Sequence, residues 1–117
     1  MHNVLSMNTK TDTPVVAMLG NKRGLAKVSF VNSNEEVEIE CHQAEIRYLA
    51  LNPEGTLLAS ASTKGTLIRI FDTVSGNGIK EVRRGSDNAD IQCLAFSSMS
   101  LYLACTSDRD TAHVFAL

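Results

Sequence analysis

Tryptophan is missing from this chain of 117 residues, and two tyrosines with four phenylalanines bring the aromatic share to only 5%. With a sequence pI near 5.9 and aromatics in no regular order, the stacking platforms and basic stripe of a nucleic-acid binder are lacking. Long apolar runs are lacking too. A stretch such as Val15 to Leu19 falls far short of the roughly 20 residues a membrane-crossing helix needs, so no transmembrane span is expected. The lead from Met1 to Asp12 holds no basic cluster followed by an apolar segment and does not read as a signal peptide. Cys41, Cys93 and Cys105 are odd in number and show no Cys-x-x-Cys or Cys/His spacing. That excludes a disulfide framework or a zinc site and leaves them as small packing residues. The expectation is a soluble chain in the cytosol or nucleus.

Catalytic patterns are absent as well. Gly20-Asn21-Lys22-Arg23-Gly24 is basic and flanked by glycine, but it lacks the Gly-x-x-x-x-Gly-Lys-Ser/Thr spacing that cradles nucleotide phosphates, and it reads as a hairpin loop. No Ser/His/Asp or Cys/His constellation can be nominated from order or spacing. The chain is not expected to be an enzyme, and no cofactor is implied.

What the chain does have is apolar content, 44%, enough to exclude a mostly disordered polymer, and an internal repeat. Ala44-Glu45-Ile46-Arg47-Tyr48-Leu49-Ala50-Leu51 aligns with Ala89-Asp90-Ile91-Gln92-Cys93-Leu94-Ala95-Phe96 at an offset of 45. The same offset carries Leu58-Ala59 onto Leu103-Ala104, Ser62 onto Ser107, Lys64 onto Arg109 and Thr66 onto Thr111; after one deletion Ile70-Phe71 falls on Val114-Phe115. A period of about 40–45 residues is the size of a four-stranded propeller blade. Strand-like runs are predicted at Val15–Leu19, Lys27–Val31, Val37–Glu40, Ile46–Leu51, Leu57–Ser62, Leu67–Asp72, Ile79–Arg83, Ile91–Phe96, Tyr102–Thr106 and Ala112–Ala116. They are rich in β-branched and aromatic residues and separated by turn chemistry, Asn52-Pro53-Glu54-Gly55, Lys64-Gly65 and Ser75-Gly76-Asn77-Gly78 among it. No helix is predicted. The Trp-Asp and Gly-His marks of propeller repeats survive in degenerate form as Phe71-Asp72 and Cys41-His42.

The predicted fold is therefore all-β, a WD-repeat β-propeller of about 2.6 repeats at that period. Its strands group as three, four and three. The expected organisation is a polar, disordered lead over 1–13, a partial blade over 14–41, a complete blade over 42–85 and a partial blade over 86–117.

Charge is unevenly spread. Ser33 to Glu45 holds five glutamates and no lysine or arginine, while Ser62 to Arg84 holds Lys64, Arg69, Lys80, Arg83 and Arg84 against Asp72 and Glu81. Within the basic stretch Val82-Arg83-Arg84-Gly85 closes a predicted strand. Successive strand side chains point to opposite faces, so the two arginines suit two separate pockets. The repeat supplies two matching partner sets, Ser62-x-Lys64-x-Thr66 and Ser107-x-Arg109-x-Thr111. Cations and hydroxyls around a turn suit a phosphate monoester. The same residues also fit a plainer reading: turn hydroxyls bonding local backbone, an Arg-Arg-Gly that merely ends an exposed strand, and histidines that pack or cap.

Thr63-Lys64-Gly65-Thr66-Leu67-Ile68-Arg69-Ile70-Phe71-Asp72, then Val82-Arg83-Arg84-Gly85, then Ser107-Asp108, Thr111 and His113-Val114-Phe115 resemble the PROPPIN family. These are seven-bladed WD-repeat propellers that bind phosphoinositides in autophagy, and the likeness covers residues 42–117 strongly and 14–41 weakly. It implies that Arg83 serves a first site for phosphatidylinositol 3-phosphate or 3,5-bisphosphate with His42, Ser62, Lys64 and Thr66. Arg84 would serve a second with Ser107, Arg109, Thr111 and His113. Val82 stands where the family hallmark has Phe or Leu, and Asp110 stands where its turn has glycine, putting a carboxylate near the second site. The implied role is that of a cytoplasmic scaffold recruited peripherally to autophagosomal or endosomal membranes, with phosphoinositide headgroups and autophagy proteins as partners. The competing expectation is a truncated propeller fragment that serves protein–protein interaction alone, since the family's membrane-inserting loop and remaining blades are not in the sequence.

Overall fold

The computed structural model describes residues 4–10 and 12–117. Its elements are all strands: β1 (Leu5–Met7), β2 (Val15–Leu19), β3 (Leu25–Phe30), β4 (Glu35–Glu40), β5 (Ile46–Leu51), β6 (Leu57–Ser62), β7 (Leu67–Asp72), β8 (Gly78–Arg83), β9 (Ile91–Phe96), β10 (Tyr102–Ser107) and β11 (Ala112–Ala116). They form three antiparallel meanders, β1-β2-β3-β4, β5-β6-β7-β8 and β9-β10-β11. The opening strand of each sheet lies against the opening strand of the next, β1 on β5 and β5 on β9. Sheets stacked in sequence about their first strands are the arrangement of a partial β-propeller.

Blade packing explains a sequence pattern that alternation does not. Strand β6, Leu57-Leu58-Ala59-Ser60-Ala61-Ser62, is buried from Leu58 onward on both faces. It is the second strand of the middle blade, covered by a blade on each side. Leu58 and Phe71 face the first blade and pack with Val15, Ala17, Val28 and Ile39. Ala59, Ala61, Ile68 and Ile70 face the third and pack with Ile91, Leu94, Leu103 and Cys105. The valine, leucine, isoleucine and phenylalanine side chains among them each contribute about 1.5–3 kcal/mol when fully buried, which makes these two seams the main source of cohesion. The outermost strand of the middle blade, β8, is mostly exposed.

The turns follow their sequence. In the β5–β6 turn the Asn52 side chain is 1% exposed and its Oδ1 accepts the amides of Thr56 (2.8 Å) and Leu57 (2.9 Å). After β7, Asp72 Oδ1 accepts the amides of Val74 and Ser75, which hold its carboxyl below the ordinary range. Phe71 is buried in the first seam.

Two expectations are corrected. The lead over 1–13 contains β1, so the strands group as four, four and three, and the first blade is four-stranded. Leu5 and Met7 are exposed and not β-branched, so nothing in their pattern announces a strand. The strand is held by its pairing with β2, by the Leu51 amide on Ser6 Oγ (2.9 Å), and by the Val15 amide on Asn8 Oδ1 (2.8 Å). Residues 1–3 and 11 of that lead lie outside the described residues.

Candidate functional site

Cross-strand register sets which side chains share a face. Ser60 lies opposite Arg69 and Arg69 opposite Glu81, while Leu67 lies opposite Arg83. Ser62 and Arg83 are each two residues beyond Ser60 and Glu81, so all of them look toward the first blade, as do Leu58 and Phe71. Ala61, Ile68 and Val82 take the opposite face, toward the third blade. Arg83 and Arg84, consecutive at the end of β8, thus turn to different seams.

In the first seam His42 Nε2 lies 2.9 Å from Ser60 Oγ. Ser60 was not among the nominated residues, although its spacing of two from Ser62 on one strand places both on one face. Burial, with a smaller push from the Arg69 charge, lowers the His42 pKa to about 4. The ring is neutral near pH 7 and offers a hydrogen bond, not a charge. Arg69, also outside the nominated set, donates to Cys41 O (2.8 Å) and pairs with Glu81 at 2.9 Å. Cys41, His42 and Arg69 border a cleft of about 330 Å³ between the first and middle blades, lined also by Lys22, Arg23, Glu40 and Gln43. Of the first nominated set only His42 lines it. Ser62 and Arg83 lie one two-residue step beyond Ser60 and Glu81 on the same face, about 7 Å along their strands.

Lys64 and Thr66 flank Gly65 in the β6–β7 turn. Ser62 is buried, and its Oγ accepts the Lys64 amide at 3.3 Å. Its O–H remains able to donate. Lys64 and Arg83 are exposed, and neither side chain has a hydrogen bond or ion pair among the described residues. The turn itself abuts the start of the third blade, where the Ala89 amide donates to Lys64 O (3.0 Å).

The second set gathers at the other seam. Ser107 is buried and its Oγ accepts the Arg109 amide at 3.3 Å, repeating the Ser62 geometry. Thr111 Oγ1 lies 3.4 Å from His113 Nε2, and the His113 ring stacks on Phe115 with centroids 6.2 Å apart. Phe115 packs into the second seam, so His113 and Thr111, on the same face of β11, look toward the middle blade. From that blade Arg84 arrives with Nε on Gly65 O (2.6 Å) and Nη2 on Asp87 O. Its charge is felt at the Cys105 thiol, whose pKa is raised by burial and partly drawn back by Arg84. Arg109 Nη2 donates to Asn88 O (2.8 Å). Asp110 adopts φ 58°, close to the 68° of Gly65 at the equivalent turn, with its side chain in solvent.

A larger cleft of about 660 Å³, lined by Leu5, Leu19, Lys22, Arg23 and Glu45 among others, holds none of the nominated residues. Among the described residues no cluster of three His, Cys, Asp or Glu is placed to hold a metal ion, and no helix is long and apolar enough to cross a membrane.

Comparison with known proteins gives consistent findings. The PROPPIN family model matches residues 15–117. Ectopic P granules protein 6 of Caenorhabditis elegans is 39% identical over 121 residues, covering 98% of this chain and 31% of that protein. Autophagy-related protein 18e of Arabidopsis thaliana is 42% identical over 103 residues, covering 88% of this chain and 28% of that protein. Among solved structures, the complex of KlAtg21 with the coiled-coil of AgAtg16 superposes with a TM-score of 0.82 at 29% identity, over 98% of this chain and 39% of the matched one. The chain spans about a third of the length of the proteins it matches.

Proposed function

The chain belongs to the PROPPIN family, and on that premise we propose that it recognises phosphoinositide headgroups at its two blade seams, as part of a propeller scaffold in autophagy. The observation that carries the reading is the split of Arg83 and Arg84 between seams, each seam holding a buried serine in a Ser-x-basic-x-Thr turn. Guanidinium groups supply charge-assisted bonds to phosphate oxygens, and hydroxyls fix their orientation. Arg83, its side chain free of partners among the described residues, is the cation assigned to the first seam, while Lys64, equally free, stands on the turn that abuts the third blade. Arg84 keeps three of its five N–H donors after bonding Gly65 O and Asp87 O. The first seam takes its histidine as a neutral donor. Phosphatidylinositol 3-phosphate and the 3,5-bisphosphate are the assigned lipids. The name of the Arabidopsis relative supports the autophagy role, and the coiled-coil complex of KlAtg21 supports a protein partner alongside the lipid.

Vesicle flotation tests this. The chain is expected to float with vesicles bearing 3-phosphorylated inositol lipid and not with unphosphorylated phosphatidylinositol. R83A should retain partial flotation and R83A/R84A none, since one arginine–phosphate contact is worth about 1.5–3 kcal/mol. R83A should keep the wild-type unfolding midpoint, because the Arg83 side chain bonds nothing among the described residues. Equal recovery on both vesicle types would leave protein interaction alone as the function.

A further inference from the structure

The β2–β3 turn, Gly20-Asn21-Lys22-Arg23-Gly24, is the first-blade counterpart of the β6–β7 turn. Each contains a glycine of positive φ, 76° at Gly24 and 68° at Gly65. Each presses that glycine on the backbone opening the next blade. A Cβ on Gly24 would stand 1.7 Å from His42 O, and one on Gly65 1.9 Å from Ala89 O. Each turn also accepts an amide from the chain entering the next blade, at the glycine itself in the first (Cys41 amide to Gly24 O, 2.8 Å) and one residue earlier in the second (Ala89 amide to Lys64 O, 3.0 Å). Arg23 therefore occupies in the first blade the place Lys64 occupies in the middle one, immediately before the glycine.

Lys22 and Arg23 overhang the cleft of about 330 Å³, whose other wall is His42, Gln43 and Arg69. That volume is within the range of small-molecule sites, about 300–1,000 Å³. Arg23 has no hydrogen bond or ion pair among the described residues. Lys22 Nζ is 3.8 Å from Glu40, with side chains 68% and 82% exposed, a contact of little strength. Glu81 is engaged by Arg69. Three cations, Lys22, Arg23 and Arg69, thus line the cleft with one carboxylate, Glu40, and they stand on both walls.

We infer that Lys22 and Arg23 form the second wall of the first-seam site and hold an additional phosphate of a multiply phosphorylated inositol, opposite the phosphate held by Arg83. The inference rests on the phosphoinositide reading above and deepens it, because it assigns to the first blade the choice between headgroups bearing one ring phosphate and those bearing two. A rigid inositol ring carries phosphates on different edges, so one ligand can reach both walls. Orthophosphate cannot.

The test is calorimetric titration of the full chain with inositol 1,3-bisphosphate, inositol 1,3,5-trisphosphate and orthophosphate, repeated as flotation on vesicles bearing the corresponding lipids. K22A/R23A should weaken the trisphosphate about tenfold or more and the bisphosphate by less than about threefold, as loss of charge-assisted bonds to a single phosphate demands. K22R/R23K should restore the preference. R83A should weaken both. If R83A weakens both ligands while K22A/R23A leaves their ratio unchanged, this inference fails and the first-seam reading stands; if R83A changes neither, the reading fails and the inference with it. Discrimination in both formats assigns the lipid headgroup as the source, and discrimination with soluble ligands alone assigns a free inositol phosphate to the same site.

Discussion

Substituting Gly65 tests the close approach of blades that forms the second seam. A Cβ there would lie 1.9 Å from Ala89 O and 2.9 Å from Ala89 C. These are backbone atoms of the neighbouring blade, held by the Ala89 amide on Lys64 O, so the blades must move apart. A left-handed φ costs an alanine about 1–2 kcal/mol, and overpacking a fixed neighbour about 1–3 kcal/mol more. G65A is thus expected to lose about 2–5 kcal/mol, a large part of a small domain's usual 5–15 kcal/mol. The φ contribution can be separated, because Asp110 holds nearly the same φ with a side chain and asparagine tolerates that region. G65N removes most of the φ cost and keeps the collision, so it should still lose about 1–3 kcal/mol. Urea unfolding gives the loss, and amide exchange at Ala89, whose amide crosses to Lys64 O, should report the opened second seam while the Cys41 amide on Gly24 O in the first stays protected. A G65N protein within about 0.5 kcal/mol of wild type, the scatter of neutral surface changes, would refute the close approach of the two blades.

Lowering pH should weaken the fold through His42. Its folded pKa of about 4 lies below the unfolded value of about 6.5, so between these values the unfolded state binds the extra proton and stability falls as pH falls. Partial exposure discounts the loss to about 2 kcal/mol by pH 4, and H42Q should flatten that segment of the urea-midpoint profile; an unchanged slope would show that another group titrates. Cys93 is exposed, whereas Cys41 and Cys105 are buried and burial pushes the Cys41 thiol up to about 11. A maleimide should therefore label one thiol in the native chain and all three in urea, and prompt labelling of Cys41 would contradict a closed first seam. D110N keeps the turn and removes a carboxylate beside Thr111, so it should tighten inositol phosphate binding about twofold to threefold at low salt and lose that gain at high salt.

Much of the fold was legible because the repeat and the turn chemistry agree. Strands β2, β5, β6, β7, β9 and β11 have the bounds read from their residue patterns, and the opposed faces of Arg83 and Arg84 follow from alternation alone. Strand β1 was not legible, because three residues with exposed Leu5 and Met7 carry no amphipathic signal and depend on bonds from β2, β5 and Asn8. The partner of His42 was half legible: Ser60 shares a face with Ser62, but only the packed seam brings an imidazole 18 residues away to it. Arg69 read as one more charge in a basic stretch, yet its bond to Cys41 O ties the middle blade to the chain entering it. Lys22 and Arg23 read as a hairpin loop, and a loop they are. Their relation to the cleft depends on how closely Gly24 approaches His42 O, a distance with no trace in local composition.

The two arginines at the end of β8 look equivalent in sequence and are not equivalent physically. Arg83 is exposed and its side chain bonds nothing among the described residues, so removing that side chain subtracts only what it would give a ligand. Arg84 bridges Gly65 O and Asp87 O, joining the β6–β7 turn to the segment that enters the third blade, and bonds to a charged group are worth about 1.5–3 kcal/mol each before solvent exposure is discounted. Its removal loosens the second seam as well as taking away one of its cations, leaving Arg109. A loss of binding in R84A therefore mixes recognition with blade docking, while the same loss in R83A is recognition alone. Lysine at 84 would keep the charge but cannot span two carbonyls as a planar fork does. The seams thus combine two tasks through the same turn: the glycine that lets one blade approach the next also fixes where the preceding cation stands, and any anion gripped from both walls must in turn stabilise the docked arrangement by mass action.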